Sequence, residues 1–182
     1  MATFNMGGIN QFGERFGLHL LDPLAGGSGA YATKYGIDAG GPVNVPMPCI
    51  ADVEANEQVA PLHYLYRRLG RDTGGAGLYR GGRGAEIAVT LGGITKAELL
   101  IMTHGLEVPN SMGMFGGWPG ATIRQRLGRQ VLPDGGYPAG PLPQDPQDIG
   151  GQWEEFGPKP GLLPVTREDV FAVLWQGGGG WG

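Results

Sequence analysis

At 182 residues the chain is the length of a single domain and is long enough to bury roughly 70% of the surface its unfolded form exposes. Charged residues make up only 16% and the net charge is −4, with basic residues scattered in ones and twos, which excludes the electrostatic footprint of a nucleic-acid binder. The 37 glycines and 15 prolines resemble a low-complexity composition, but large apolar residues recur along the whole chain at low net charge, so a packed core is expected.

Met1 to Asn5 has neither a basic nor an apolar leader region, and a lone cysteine, Cys49, forms no internal disulfide; both point to the cytoplasm. No apolar run approaches the ~20 residues that span a bilayer. The first forty residues hold two glycine clusters, Gly7-Gly8 and Gly26-Gly27-Ser28-Gly29, around an apolar patch from Phe16 to Leu21, and read as loop with at most short strands. Residues 42–50 carry prolines at every second or third position, which blocks helix and favours an extended path. Asp52 to Gln58 suits one short helical turn capped by Asp52, and Leu62 to Tyr66 reads as an aromatic strand.

The middle is the most regular part. Ala85 to Leu91 predicts a strand of imperfect alternation, Gly92-Gly93 a hairpin turn, and Ala97 to Thr103 the returning strand. From Asp134 to Pro164 the chain is rich in glycine and proline again, and Phe171 to Trp175 is a last strand. The fold class expected is mainly β: one glycine/proline-rich sheet domain over residues 1–182, with long ordered loops and few short helices.

The densest motif runs from Asp72 to Gly84. Successive amides at Gly74 and Gly75 are candidates for an anion-binding nest to which Arg80 and Arg83 add bidentate contacts. The motif lacks the Lys-[Ser/Thr] ending of a P-loop and has no strand-to-helix setting. The structural alternative, which is preferred, pairs Arg80 with a buried carboxylate, Glu54 or Glu57, because buried charges are found paired. Glu54 and Glu57, three apart, are otherwise half of a metal site, but no histidine stands at matching spacing. His19, His63 and His104 are far apart and read as satisfied half-buried side chains, and Cys49 reads as an inert thiol. No catalytic triad, metal cluster or Walker loop emerges, so no catalytic residue is assigned.

One resemblance spans nearly the whole chain. Asp22, Ala25-Gly26-Gly27-Ser28-Gly29-Ala30, Asn44-Val45-Pro46, Glu54, Glu57, Pro61, Asp72-Thr73-Gly74-Gly75-Ala76-Gly77, Arg80-Gly81-Gly82, Gly84, Pro109, Gly113, Gly116-Gly117, Gly120 and Gly177-Gly178-Gly179-Gly180-Trp181-Gly182 follow one another in the order and spacing of the C-terminal third of the hydantoinase B/oxoprolinase family. The chain therefore resembles one component of ATP-dependent hydantoinases and 5-oxoprolinases and the large subunits of acetone and acetophenone carboxylases. The resemblance implies chemistry in which ATP activates a carbonyl or enolate by phosphorylation, before ring hydrolysis in one branch or carboxylation in the other. It places ATP in a hydantoinase A-type ATPase subunit and the divalent metal in the N-terminal part of a larger hydantoinase B-type subunit, leaving this chain to bind neither alone. The chain resembles the smaller, C-terminal piece of a split B-type protein. The expected role is a small subunit of a hetero-oligomeric ketone carboxylase or cyclic-amide hydrolase, inactive by itself and poorly soluble without its partner; the alternative is a non-catalytic binding or scaffolding module.

Overall fold

A computed structural model describes residues 3–41, 50–133 and 140–182. The expectations for residues 42–49, including the Cys49 thiol, lie outside the described residues. The elements in chain order are β1 (Thr3–Ile9), β2 (Arg15–Leu20), a 3-10 turn (Asp22–Leu24), α1 (Val53–Val59), β3 (Leu62–Leu69), β4 (Ala85–Leu91), β5 (Lys96–Met102), β6 (Arg124–Gly128), α2 (Pro146–Ile149), β7 (Trp153–Glu155), β8 (Leu162–Thr166) and β9 (Val170–Leu174). The fold is mainly β, as expected. Its strands form a four-stranded sheet of order β2-β1-β5-β8 and a five-stranded sheet of order β3-β4-β9-β6-β7, antiparallel at every pairing.

The two sheets face each other across one core. Phe4, Met6, Leu99 and Ile101 from the first meet Ile87, Val89, Leu127 and Phe171 from the second, and the Phe4 and Phe171 rings touch at 5.0 Å between centroids. Alternation along β1 and β5 points these residues inward, as a strand period of two requires. β4 is buried along its whole length, because Ala88 on its other face packs under Leu65, Leu132, Val170 and Ala172. That double burial is why its sequence alternates imperfectly.

The hairpin expected between β4 and β5 does not form. β4 pairs with β3 and β9, whereas β5 pairs with β1 and β8, so Gly92-Gly93-Ile94-Thr95 carries the chain from one sheet to the other. Both edges of β4 are already taken, Gly93 adopts φ +70, and Ile94 is drawn into the core, a burial that a tight two-residue turn would forgo. The first forty residues also depart from expectation, since β1 and β2 make a regular hairpin. Its loop is tied by Asn10 Oδ1, which accepts from the Phe12 and Glu14 amides, and Gly8 lies in the strand opposite Phe16, whose ring covers it.

Candidate functional site

Beside the sandwich, four irregular segments, residues 25–41, 70–84, 111–121 and 176–182, are knitted together by backbone hydrogen bonds. Gly178 donates to the Gly82 carbonyl and accepts from the Gly75 amide, both within 2.8–2.9 Å; Gly180 donates to Trp118 O and accepts from Met114 N; Gly82 donates to Ser28 O. A Cβ added to Gly177 would overlap the Thr73 carbonyl, at Gly178 that of Ser28, at Gly75 that of Trp118, and at Gly180 that of Ala76. None of these four glycines has a positive φ. They are present for close approach of backbones, not for left-handed turns.

The glycine motif after β3 is thereby absorbed into the scaffold. The Gly75 amide is bonded to Gly178 O, the Gly81 amide to Gly75 O and the Gly82 amide to Ser28 O, while the Gly84 amide is bonded to Thr73 Oγ1. These donors point into the protein, and Gly74 carries the Arg80 guanidinium near its α-carbon. Arg80 and Arg83 do converge, but on Asp38. Arg83 donates from Nε and Nη2 to Oδ2 and from its backbone amide to Oδ1, and Arg80 Nη1 reaches Oδ1 at 3.1 Å and Gly81 O at 2.7 Å. Partial burial pushes the Asp38 carboxyl up, but the Arg83 and Arg80 hydrogen bonds outweigh it and hold it down at about 2. On their outer side the two arginines border an open depression with Arg71 and Asp72.

Neither glutamate expected to partner Arg80 does so. Glu54 is exposed on α1, and Glu57 accepts the Tyr64 amide at 2.7 Å with His63 Nδ1 at 3.6 Å. The helix packs on β3, whereas the backbone bonds from Gly36 to Arg80 O and from Ala39 to Arg83 O lay Asp38 alongside the arginines. Sequence reasoning missed Asp38, a lone carboxylate ahead of a glycine pair with no spacing to tie it to a motif forty residues away.

A second polar cluster is buried at Asp22, Asn56 and Tyr64. Asp22 Oδ2 accepts from the Tyr64 hydroxyl at 2.7 Å, and that hydroxyl accepts from Asn56 Nδ2 at 2.8 Å. Arg67 Nη1 stands 3.6 Å from Asp22 Oδ1. Burial raises the Asp22 carboxyl against the opposing pull of Tyr64 and Arg67, and it raises the Tyr64 phenol too, with the Asp22 charge adding to the effect. This network joins the 3-10 turn, α1 and β3.

Of the three histidines expected to be half-buried only His63 is; His19 is exposed and pairs with Asn5 across the β1–β2 hairpin at 2.7 Å. Among the described residues no group of three or more His, Cys, Asp or Glu side chains converges as a metal donor set. The arrangement as a whole is a preformed backbone scaffold flanked by an arginine pair.

Comparison with known proteins bears on what such a scaffold serves. The sequence profile of the hydantoinase B/oxoprolinase family matches residues 1–182. The acetone carboxylase alpha subunit of Xanthobacter autotrophicus is 31% identical over 116 residues, covering 64% of this chain and 15% of that subunit. Among solved structures, nucleotide-free acetone carboxylase superimposes with a TM-score of 0.72 at 25% identity over 100% of this chain and 25% of its own. An ATP-dependent caprolactamase from Pseudomonas jessenii shares the fold, with a TM-score of 0.74 at 22% identity over 99% of this chain and 28% of its own. The chain thus spans a quarter or so of the solved chains it matches.

Proposed function

We propose that this chain, which belongs to the hydantoinase B/oxoprolinase family, serves as the small subunit of a multi-subunit ATP-dependent ketone carboxylase or cyclic-amide hydrolase, where it completes the fold of a larger B-type subunit. The observation that supports this reading is the shared fold: all of this chain superimposes on acetone carboxylase with a TM-score of 0.72. Similarity at 31% identity to an acetone carboxylase alpha subunit favours the carboxylase branch.

Nucleotide and divalent metal belong, on this reading, to an A-type ATPase subunit and to the larger B-type subunit. Bound there, ATP supplies the phosphoryl group that activates the substrate carbonyl or enolate. Within this chain the Gly75, Gly81 and Gly82 amides are bonded to backbone carbonyls, Arg80 and Arg83 are engaged by Asp38, and among the described residues no group of three or more His, Cys, Asp or Glu offers metal donors. Its own contribution is to hold a rigid wall beside the partner's site, through backbone bonding that leaves the surface little freedom to relax. No helix among the described residues is long and apolar enough to cross a membrane.

The test is reconstitution. The chain, the B-type polypeptide carrying the rest of the family's length and the A-type ATPase are co-expressed, purified as a complex and assayed for ATP hydrolysis with acetone and acetophenone plus bicarbonate, hydantoins and 5-oxoproline. Substrate-dependent hydrolysis is expected only when all three chains are present. Full activity of the other two without this chain, or ATP hydrolysis by this chain alone, would refute the subunit role.

A further inference from the structure

The open side of the glycine scaffold carries a row of large apolar side chains. Tyr79 bridges Trp181, and Trp181 bridges Met114; residues bridged in this way project to the same side of their local sheet. Tyr35 extends the row at one end, edge-on to Tyr79 at 5.8 Å, and Phe115 extends it at the other, 4.3 Å from the Trp181 ring. Phe115 is 73% exposed, Tyr35 61% and Met114 59%. Phe115 also sits at φ +52, a region that bulky residues avoid, so the backbone is strained to present a ring to solvent. Lys34 does not enter the row, its ammonium lying over Tyr31 at 4.6 Å.

The platform beneath is rigid. A Cβ on Gly117 would overlap the Gly180 carbonyl, and one on Gly77 would come within 2.7 Å of Trp181 O, so these segments have no room to shift. Most of the two sheets' area is already covered. The inner faces of the sheets pack on each other, and the outer face of the five-stranded sheet lies under Val131, Leu132, Ile149 and Trp153. The outer face of the four-stranded sheet is mixed, presenting Asn5, His19, Lys96 and Glu98 beside Leu100, Met102 and Leu162, and among the described residues it has no aromatic cluster like that row.

From this we infer that the Tyr35–Tyr79–Trp181–Met114–Phe115 row is the surface on which the rest of the B-type fold docks. The inference rests on the subunit reading above. Its occupant follows from length: relatives of the same fold carry most of their chain outside the part matched here, 75% or so given a coverage of about 25%, and that larger part must contact this module somewhere. Aromatic and methionine side chains without charge are the composition of an interface core, and a preformed platform limits the ordering cost of binding.

The test uses the full chain and, as probe, the B-type polypeptide of the same organism that carries the remaining family length. Calorimetry and size-exclusion chromatography with light scattering are expected to give a one-to-one complex for the parent chain. Phe115→Asp and Met114→Asp are expected to weaken it roughly 30-fold or more, the scale of a lost hot spot, while Glu154→Lys on β7 leaves it unchanged. Phe115→Gly, which relaxes the positive φ, separates folding from binding: it should melt cooperatively and still lose the same affinity. Unchanged affinity in all three variants, with amides 112–118 equally open to hydrogen exchange in the complex, overturns the docking surface and leaves the subunit reading standing. Failure of the parent chain to associate at all overturns both. A parent homodimer that the same variants dissociate assigns the row to a second copy and overturns the inference.

Discussion

Two guanidinium groups converge on the carboxylate of Asp38, Arg83 at 2.8 Å and Arg80 at 3.1 Å, and the Arg83 amide adds a backbone donor at 2.7 Å. Because Asp38 keeps Arg83 when Arg80 is removed, Arg80→Ala should remain soluble and lose only about 1 kcal/mol, the worth of one exposed charged pair. Asp38→Ala strands both arginines and a backbone amide, and about 2 kcal/mol is expected; urea unfolding at neutral pH measures both. The carboxyl is held at about 2, below its ordinary 3.8, so its contribution is present above pH ~4 and fades as pH falls towards 2. The difference in unfolding free energy between parent and Asp38→Asn should be about 1–2 kcal/mol at pH 6, after discounting for the half-exposed arginine heads, and should shrink towards zero near pH 2. A difference that stays constant across that window would show that the charge of Asp38 is not what ties the arginines down.

Between residues and elements, glycine is what the sequence leaves ambiguous. β3, β4, β5, β9 and α1 stand where aromatic, β-branched and capping residues announce them, although Asp52 at the α1 N-cap makes no side-chain cap bond. β1 was hidden by Gly7-Gly8, which read as loop. β6 escaped because it is polar: Gln125 is buried and bonds Thr103 Oγ1 and Gly157 O, and Arg126 faces Glu86 at 3.9 Å. β8 escaped because it holds Pro164, which is tolerated there since β8 is an edge strand. In the candidate site the pairing of Asp38 with its arginines and the meeting of four glycine segments depend on contacts between residues up to 150 apart, which spacing along the chain does not encode. The glycines themselves make this testable. Gly178→Ala drives a Cβ into the Ser28 carbonyl, whereas Gly157 has open space around its α-carbon and no positive φ. Gly178→Ala is therefore expected to cost at least ~3 kcal/mol, an overpacking with no flexible side chain to yield, and Gly157→Ala to be neutral or gain up to ~1 kcal/mol by restricting the unfolded chain. Thermal melts of the two variants check the contrast; similar melting temperatures would mean that the segments can part and that glycine is not required where they cross.

For the whole molecule, the last six residues close the structure, joining segments that the two sheets leave on one side. Every amide from Gly177 to Gly182 donates: to Ala121 O, Gly82 O, Ser111 Oγ, Trp118 O, Tyr79 O and Met114 O in turn. Their carbonyls accept in return from Gly75, Ala30, Met114, Tyr79 and Leu78. At about 1 kcal/mol net for each hydrogen bond, this set is comparable with the ~5–15 kcal/mol that separates an ordinary domain from its unfolded state. The segments it joins also bond one another directly, as from Gly82 to Ser28 O and from Trp118 to Ala76 O, but through fewer bonds than the last six residues supply. Removing Gly177 to Gly182 should accordingly abolish cooperative thermal unfolding and open residues 25–41, 70–84 and 111–121 to rapid hydrogen exchange, while Val89, Phe171 and their neighbours in the sandwich core keep partial protection. Removing Gly182 alone takes away only the bonds to Met114 and Leu78 and should lower the melting temperature by a few degrees, about 4–8 °C per kcal/mol for a small domain and less for a chain of this length. Hydrogen exchange read by mass spectrometry on the two truncations decides the matter: a six-residue truncation that still protects residues 70–84 would show that the glycine segments hold one another without the C-terminal segment between them.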